Sequence, residues 1–281
     1  MSRWHDGHDV LLTSGRGDRL MHTTQVAQAA ALLWQTWQDG QRIDTLPAAL
    51  QPADRAQGYA IQAEIERLAG QTRCGWKIAA TSTAGQAHIG VDGPLVGRLL
   101  PQSLCPAGAT VPLAANLMRV AEAEFAFRMA RALPPQAQPY TMADVMAAVD
   151  SLHPAIELPD SRYLDFARVG APQLIADNAC AGWFILGAAT MASWRTRDLV
   201  SHEVTMRHHG TIARTGTGAN VLGSPWTALT WIANELSRYE TGLLAGEIVT
   251  TGTCIIPLNI APGDRLVADF GDFGCVDVVV V

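Results

Sequence analysis

Apolar residues along the chain change their period once, near residue 73. Before that point they recur at intervals of three and four. From Thr23 or Thr24 the Ala-rich run Gln25 to Trp34 predicts a helix that ends near Gly40, with a threonine hydroxyl as its cap. Tyr59, Ile61, Ile65 and Leu68 repeat the spacing and predict a second helix over 52–68, stopped by Gly70. Beyond Gly75, short apolar runs alternate with Gly and Pro. Runs at 76–78, 96–100, 123–128, 180–186, 202–208, 247–251, 264–270 and 276–281 are strand signals. Helical stretches are expected between them at 141–152 and 224–239, the latter with Pro225 in its first turn. The segment 256–266 reads as a turn feeding a strand, because Pro262-Gly263-Asp264 is turn chemistry. The class is therefore α+β. Residues 1–21 are polar and Gly-rich with no period, and are expected to be a disordered extension. Residues 22–72 form a helical preface, and 73–281 a β-rich main domain.

Composition narrows the picture. The chain has 281 residues, 48% of them apolar and only 16% charged, so a large core is available and subunit contacts are expected. The net charge of −6 and the lack of any Lys/Arg block argue against nucleic acid or an anionic membrane surface as partner. Five cysteines, none in a CxxC pair, read as reduced thiols of a cytoplasmic protein rather than zinc ligands. Neither a transmembrane run nor a signal-peptide pattern is present. P-loop, GxGxxG and Gly-x-Ser-x-Gly motifs are absent too. The eight histidines show no metal-ligand spacing, and His208-His209 reads as surface.

Several residues are candidates for chemistry, each with a bland alternative. Glu122 and Glu124, two apart on an expected strand, project from one face. There they are either a solvated strip or a pair whose repulsion a divalent cation relieves. Glu157, between apolar residues and prolines, is either a turn residue open to water or a buried acid that needs a partner. Lys77, inside Trp76-Lys77-Ile78, either snorkels from an edge or receives an anion such as a substrate carboxylate. Asp177-Asn178 either orients a ligand or makes an Asx turn. Thr250-Thr251-Gly252-Thr253 either holds a carboxylate or closes a turn.

The order of these motifs resembles one family. Gly75 to Ser82, Gly90-Val91-Asp92-Gly93-Pro94, Glu122-Ala123-Glu124, Pro154-Ala155-Ile156-Glu157, Asp177-Asn178 and Ala245 to Gly252 are similar to the 2-keto-4-pentenoate hydratase group. That group includes 2-oxohept-4-enedioate hydratases and 4-oxalocrotonate decarboxylases, within the fumarylacetoacetate hydrolase superfamily. The likeness runs from about Thr24 to the C-terminus, and Glu-x-Glu followed by a third Glu is its most specific part. It implies a mixed β-sheet roll or barrel with helices around it, and a homo-oligomer. A complex with a related decarboxylase or hydratase is a further implied partnership. Glu122, Glu124 and Glu157 would hold Mg²⁺ or Mn²⁺, Lys77 would bind or exchange a proton with the substrate, and Thr251 would contact its carboxylate. Asp177 is carried along as a substrate-binding candidate. One departure stands out. Members of the group often read Asp-x-Pro-Asp or Asp-x-Pro-Ile, where this chain has Asp92-Gly93-Pro94-Leu95. The acid proposed as a proton shuttle in some hydratases falls on Leu95, and Asp92 is the remaining catalytic candidate.

The implied reaction is metal-dependent hydration, in aromatic catabolism, of a small 2-hydroxy-2,4-dienoate that chelates the cation through its 2-oxygen and carboxylate. A proton goes to C5, water adds at C4, and the product is a 4-hydroxy-2-oxo acid. Acid–base help from Lys77, Asp92 or a metal-bound water would contribute about 10²–10⁴-fold. The alternatives are decarboxylation of a 4-oxalocrotonate-type acid, C–C hydrolysis of an acylpyruvate, and a non-catalytic partner subunit.

Overall fold

A computed structural model of the chain describes residues 21–113 and 115–281. Residues 1–20 of the expected extension lie outside the described residues. Met21, its last residue, is 4% exposed and packs in the small core of the preface.

The preface is two helices, α1 (Thr23–Gln38) and α2 (Arg55–Ala69). His22 occupies the capping position of α1, and Asp54 caps α2 by accepting from the Gln57 amide at 2.9 Å. Gly70 ends α2 in the left-handed conformation its position demanded. Val26, Ala29, Ala30 and Leu33 of α1 meet Ile61 and Ile65 of α2, and the cluster also takes in Tyr163 and Ala176. The preface is thus docked on the main body by its own apolar stripe.

In chain order there follow β1 (Gly75–Ala79), α3 (Thr83–His88), β2 (Leu95–Leu99), β3 (Leu104–Pro106), β4 (Ala109–Val111), β5 (Val120–Met129) and α4 (Met142–Met146). Next come β6 (Val149–Leu158), α5 (Gly170–Ala176), β7 (Trp183–Leu186), β8 (Glu203–His208), β9 (Thr211–Thr217) and α6 (Pro225–Arg238). The last four are β10 (Ile248–Thr253), β11 (Leu258–Asn259), β12 (Arg265–Asp269) and β13 (Cys275–Val280). The first sheet runs β2-β1-β10-β5-β6-β7-β3, with β11 added to β5; the second runs β4-β13-β12-β8-β9. Parallel and antiparallel pairs are mixed in both. No helix among the described residues is long and apolar enough to cross a membrane.

One expected element is different. The helix predicted over 141–152 stops at Met146, and Val149–Leu158 is a strand paired along its length with β5. Pro154 biases the residue before it away from helix. Pairing with β5 and β7 then overrides the helical pattern of the segment, even though a proline inside a central strand forgoes a ladder hydrogen bond.

β5 separates its faces by alternation. Ala121, Ala123, Phe125, Phe127 and Met129 enter the main core, while Glu122, Glu124 and Ala126 occupy the other side. That second side would be open in a flat sheet. Here β1 and β6 stand three strands apart, roughly 14 Å at the usual spacing. Yet Lys77 on β1 lies 3.0 Å from Glu157 on β6, so the sheet must curl and enclose this face.

Candidate metal centre

Register brings the three glutamates together. Glu122 on β5 is directly opposite Glu157 on β6, and Glu124 follows two residues along the same face. Each offers a carboxylate oxygen, all within 4.8 Å of one another. Glu124 and Glu157 are 0% and 1% exposed, and Glu122 is partly covered. Like charges facing each other across a strand pair destabilise it, and burial sharpens the penalty. Burial, followed by the Glu157 charge, raises Glu122 to about 7. Glu124 and Glu157 are pushed up for the same first reason.

Neighbouring groups orient these acids without saturating them. Thr250 Oγ1 and the Gly252 amide (3.0 Å) both donate to Glu124 Oε2, leaving Oε1 buried without a hydrogen bond. A bulge in the β10–β5 register between Thr250 and Thr253 lets both donors reach one oxygen. Gly252 sits there at φ 100°, and a Cβ would run into the Thr81 side chain. Glu157 Oε1 is met by the Lys77 ammonium, while Oε2 is buried and unpartnered.

Lys77 is 2% exposed. Its stem lies over Gly97, its cross-strand partner on β2, where a Cβ would come within 2.9 Å of the lysine chain. Nζ donates to the Ala179 carbonyl at 3.0 Å as well as facing Glu157. Burial works against the ammonium, but Glu157, Glu122 and Glu124 more than offset it and hold its pKa above the ordinary value. The Ala179 carbonyl is aimed by an unusual turn. Asn178, Ala179 and Cys180 all have left-handed backbones, φ 55°, 51° and 58°. Such a conformation costs on the order of 1–3 kcal/mol per residue and persists only where the surroundings impose it. The Asn178 side chain imposes it from one side, accepting from the Arg98 amide (2.6 Å) and donating to the Arg98 carbonyl (2.9 Å).

The remaining sequence candidates fall elsewhere. Asp177 is 1% exposed, but its carboxylate accepts from Ser161 Oγ (2.7 Å), from the Arg162 amide (3.0 Å) and from the Arg162 guanidinium. It anchors the other end of the strained turn instead of facing the glutamates. Thr251, one residue out of phase with Thr250, gives its hydroxyl to the Phe125 carbonyl at 3.0 Å. The hydroxyl that reaches the cluster belongs to Thr250. Asp92 is an exposed loop residue whose side chain pairs with Arg55 at 2.6 Å; the acids facing Lys77 are Glu157, Glu122 and Glu124. Thr250 and Gly252 were named in the sequence only within the run 250–253, read as holding a carboxylate or closing a turn; Gly97 and the Ala179 carbonyl were missed.

Three carboxylates and one ammonium leave two negative charges in a buried space, with oriented oxygens that nothing else satisfies. An all-oxygen donor set of this charge fits a hard divalent cation.

Comparison with known proteins gives a consistent result. The fumarylacetoacetate (FAA) hydrolase C-terminal family matches residues 83–281. Over 230 residues the chain is 34% identical to the 2-keto-4-pentenoate hydratase of Burkholderia vietnamiensis (strain G4 / LMG 22486), covering 81% of this chain and 86% of that protein. It is 33% identical over 224 residues to a 4-oxalocrotonate decarboxylase of Pseudomonas putida, covering 79% and 83%. The fold superposes on the 4-oxalocrotonate decarboxylase from Pseudomonas putida G7 complexed with magnesium and adipate, with a TM-score of 0.84. That match has 29% identity and covers 94% of this chain and all of the other. The mixed-sheet roll with a helical preface is the architecture the motifs implied.

Proposed function

The chain belongs to the fumarylacetoacetate hydrolase family, and from that premise we propose that it is a divalent-metal-dependent hydro-lyase. It adds water to a 2-hydroxy-2,4-dienoate of the 2-keto-4-pentenoate type and yields a 4-hydroxy-2-oxo acid. The observation that carries this reading is the buried cluster of three carboxylates facing one ammonium, with oxygens left free on Glu124 and Glu157. In this reading Glu122, Glu124 and Glu157 hold Mg²⁺ or Mn²⁺. The bound cation supplies Lewis-acid polarisation at the substrate's 2-oxygen.

The chain's own residues do the rest. Thr250 and Gly252 fix the rotamer of Glu124, so that its free oxygen points into the cluster. Lys77, protonated and pinned between Glu157 and the Ala179 carbonyl, holds the proton delivered to the carbon end of the dienol. Its charge also favours a carboxylate beside it. The curled sheet keeps bulk water away and strengthens each of these interactions. Asp92 has no part in this scheme.

A second reading, decarboxylation of a vinylogous 2-oxo acid, draws support from the likeness to the P. putida G7 enzyme. The same acids and lysine serve it. A homo-oligomer is also part of the proposal: Met191 (99% exposed) and Ile256 (74%) are large apolar residues that a second subunit would cover.

Loss of dienol absorbance from 2-hydroxypenta-2,4-dienoate with Mg²⁺ or Mn²⁺ tests the reaction; release of CO2 from 4-oxalocrotonate would move the assignment to the second reading. Glu124→Gln is expected to lower turnover at least about a thousandfold, since a misheld cation forfeits several kcal/mol of transition-state stabilisation. A variant that kept its turnover and Mg²⁺ affinity would refute the ligand set.

A further inference from the structure

A second group of metal-ligating side chains lies outside the glutamate cluster, on the second sheet. His208 ends β8, and His209 with Gly210 forms the two-residue turn into β9. Both turn residues have positive φ, 48° and 84°, as a tight hairpin of this hand requires. Asparagine or glycine is the usual choice at the first position, so the histidine there is conspicuous.

Its backbone has a geometric result. Adjacent residues of a strand point to opposite faces, which is why a His-His pair has no ligand spacing along the chain. The left-handed turn at His209 swings its ring to the side that His208 occupies, with ring centroids 4.4 Å apart. Asp264, in the turn before β12, completes the group. Its Oδ1 lies 2.9 Å from His208 Nε2 and 3.2 Å from His209 Nε2. Its Oδ2 accepts from the Ala261 amide at 2.8 Å, which fixes the carboxylate. His208 Nε2 is buried and, despite its closeness to Oδ1, has no aligned hydrogen bond among the described residues. The three ligand atoms lie within 4.8 Å of one another.

We propose that His208, His209 and Asp264 form a second metal site, selective for Zn²⁺ or a similar borderline cation over Mg²⁺. Two imidazole nitrogens and one carboxylate oxygen are the donors zinc prefers and magnesium does not. Tetrahedral zinc with bonds of about 2.0–2.1 Å separates its ligand atoms by about 3.3 Å. The two separations from Asp264, 2.9 and 3.2 Å, need open by only a few tenths of an ångström, and that between the two histidines is within 4.8 Å. The fourth position faces solvent, as His209 is 53% exposed. A cation here would tie the β8–β9 hairpin to the start of β12.

The test is calorimetric titration of the whole protein with Zn²⁺ under saturating Mg²⁺, which occupies the all-oxygen cluster. Wild type is expected to bind about one zinc per chain. Losing one supporting group near a metal already weakens binding about 10–100-fold. His209→Asn, which keeps the left-handed turn, and His208→Gln are therefore each expected to weaken zinc by more than about tenfold. Glu124→Gln should leave this binding unchanged. The site is refuted if wild type and His209→Asn bind zinc alike, or if Glu124→Gln abolishes the binding, which would place the zinc among the glutamates.

Discussion

Two ion pairs, each with a residue that drew notice in the sequence, sit in opposite settings. Arg55 and Asp92 approach to 2.6 Å at the surface, with the aspartate side chain 84% exposed. Lys77 and Glu157 are farther apart, 3.0 Å, but their side chains are 3% and 1% exposed. The shorter contact matters less. Water screens and competes with the outer pair; an exposed pair of this kind contributes about 0–1 kcal/mol. The inner pair cannot separate without leaving a charge stranded in the core. Rank by distance and the order is reversed; rank by burial and the pair with chemical consequence stands out.

The hardest blow to this contrast is Lys77→Met. It removes one partner of a buried pair, and a loss of about 3–5 kcal/mol is expected in denaturant titration of the metal-free protein. Turnover should fall by about 10²–10⁴-fold. Stability within 1 kcal/mol of wild type, a threshold of about one exposed pair, would erase the distinction.

A milder probe is pH. Burial and mutual repulsion raise Glu122 to about 7, with Glu124 and Glu157 shifted in the same direction. Raised acids hold their protons in the fold. The metal-free chain therefore has their full contribution below the ordinary carboxylate range, and loses it as pH climbs through about 7. A bound dication takes the place of those protons, so the rise in Tm caused by Mg²⁺ should be larger at about pH 8 than at about pH 5.5. Differential scanning fluorimetry at the two values checks this; an equal rise at both would contradict it.

The smallest effect is expected at the surface. Asp92→Asn should change stability by less than about 1 kcal/mol and turnover by less than about twofold. A large loss of turnover would return Asp92 to the reaction and put the outer pair on a level with the inner one.

How far the chain could be read in advance follows from where each signal resides. Side-chain alternation exposed Glu122 and Glu124 as partners, and the anomaly of a lysine in an apolar run exposed Lys77. Both are local facts, and the caps of α2 and α6 are local as well. Glu157 was singled out, yet its strand was not, because Val149–Leu158 owes its conformation to β5 and β7 rather than to its own propensity. The partners that Asp177 and Thr251 find, Arg162 and the Phe125 carbonyl, could not be read from the sequence, since a strand phase or a turn partner is decided by distant residues. Gly97 and the Ala179 carbonyl carry no side-chain signature. The adjacent histidines were passed over because a strand period cannot foresee a left-handed turn.

The turn at 178–180 bears on laboratory evolution of this scaffold. Its backbone aims one carbonyl at Lys77 by holding three residues where most side chains are disfavoured, and clamps from Asp177 and Asn178 secure both ends. Random libraries that include 97 or 177–180 will be dominated by inactive clones, for reasons unrelated to substrate choice. Diversity is better spent on the exposed rim, where a changed side chain alters what enters without disturbing the turn that positions Lys77.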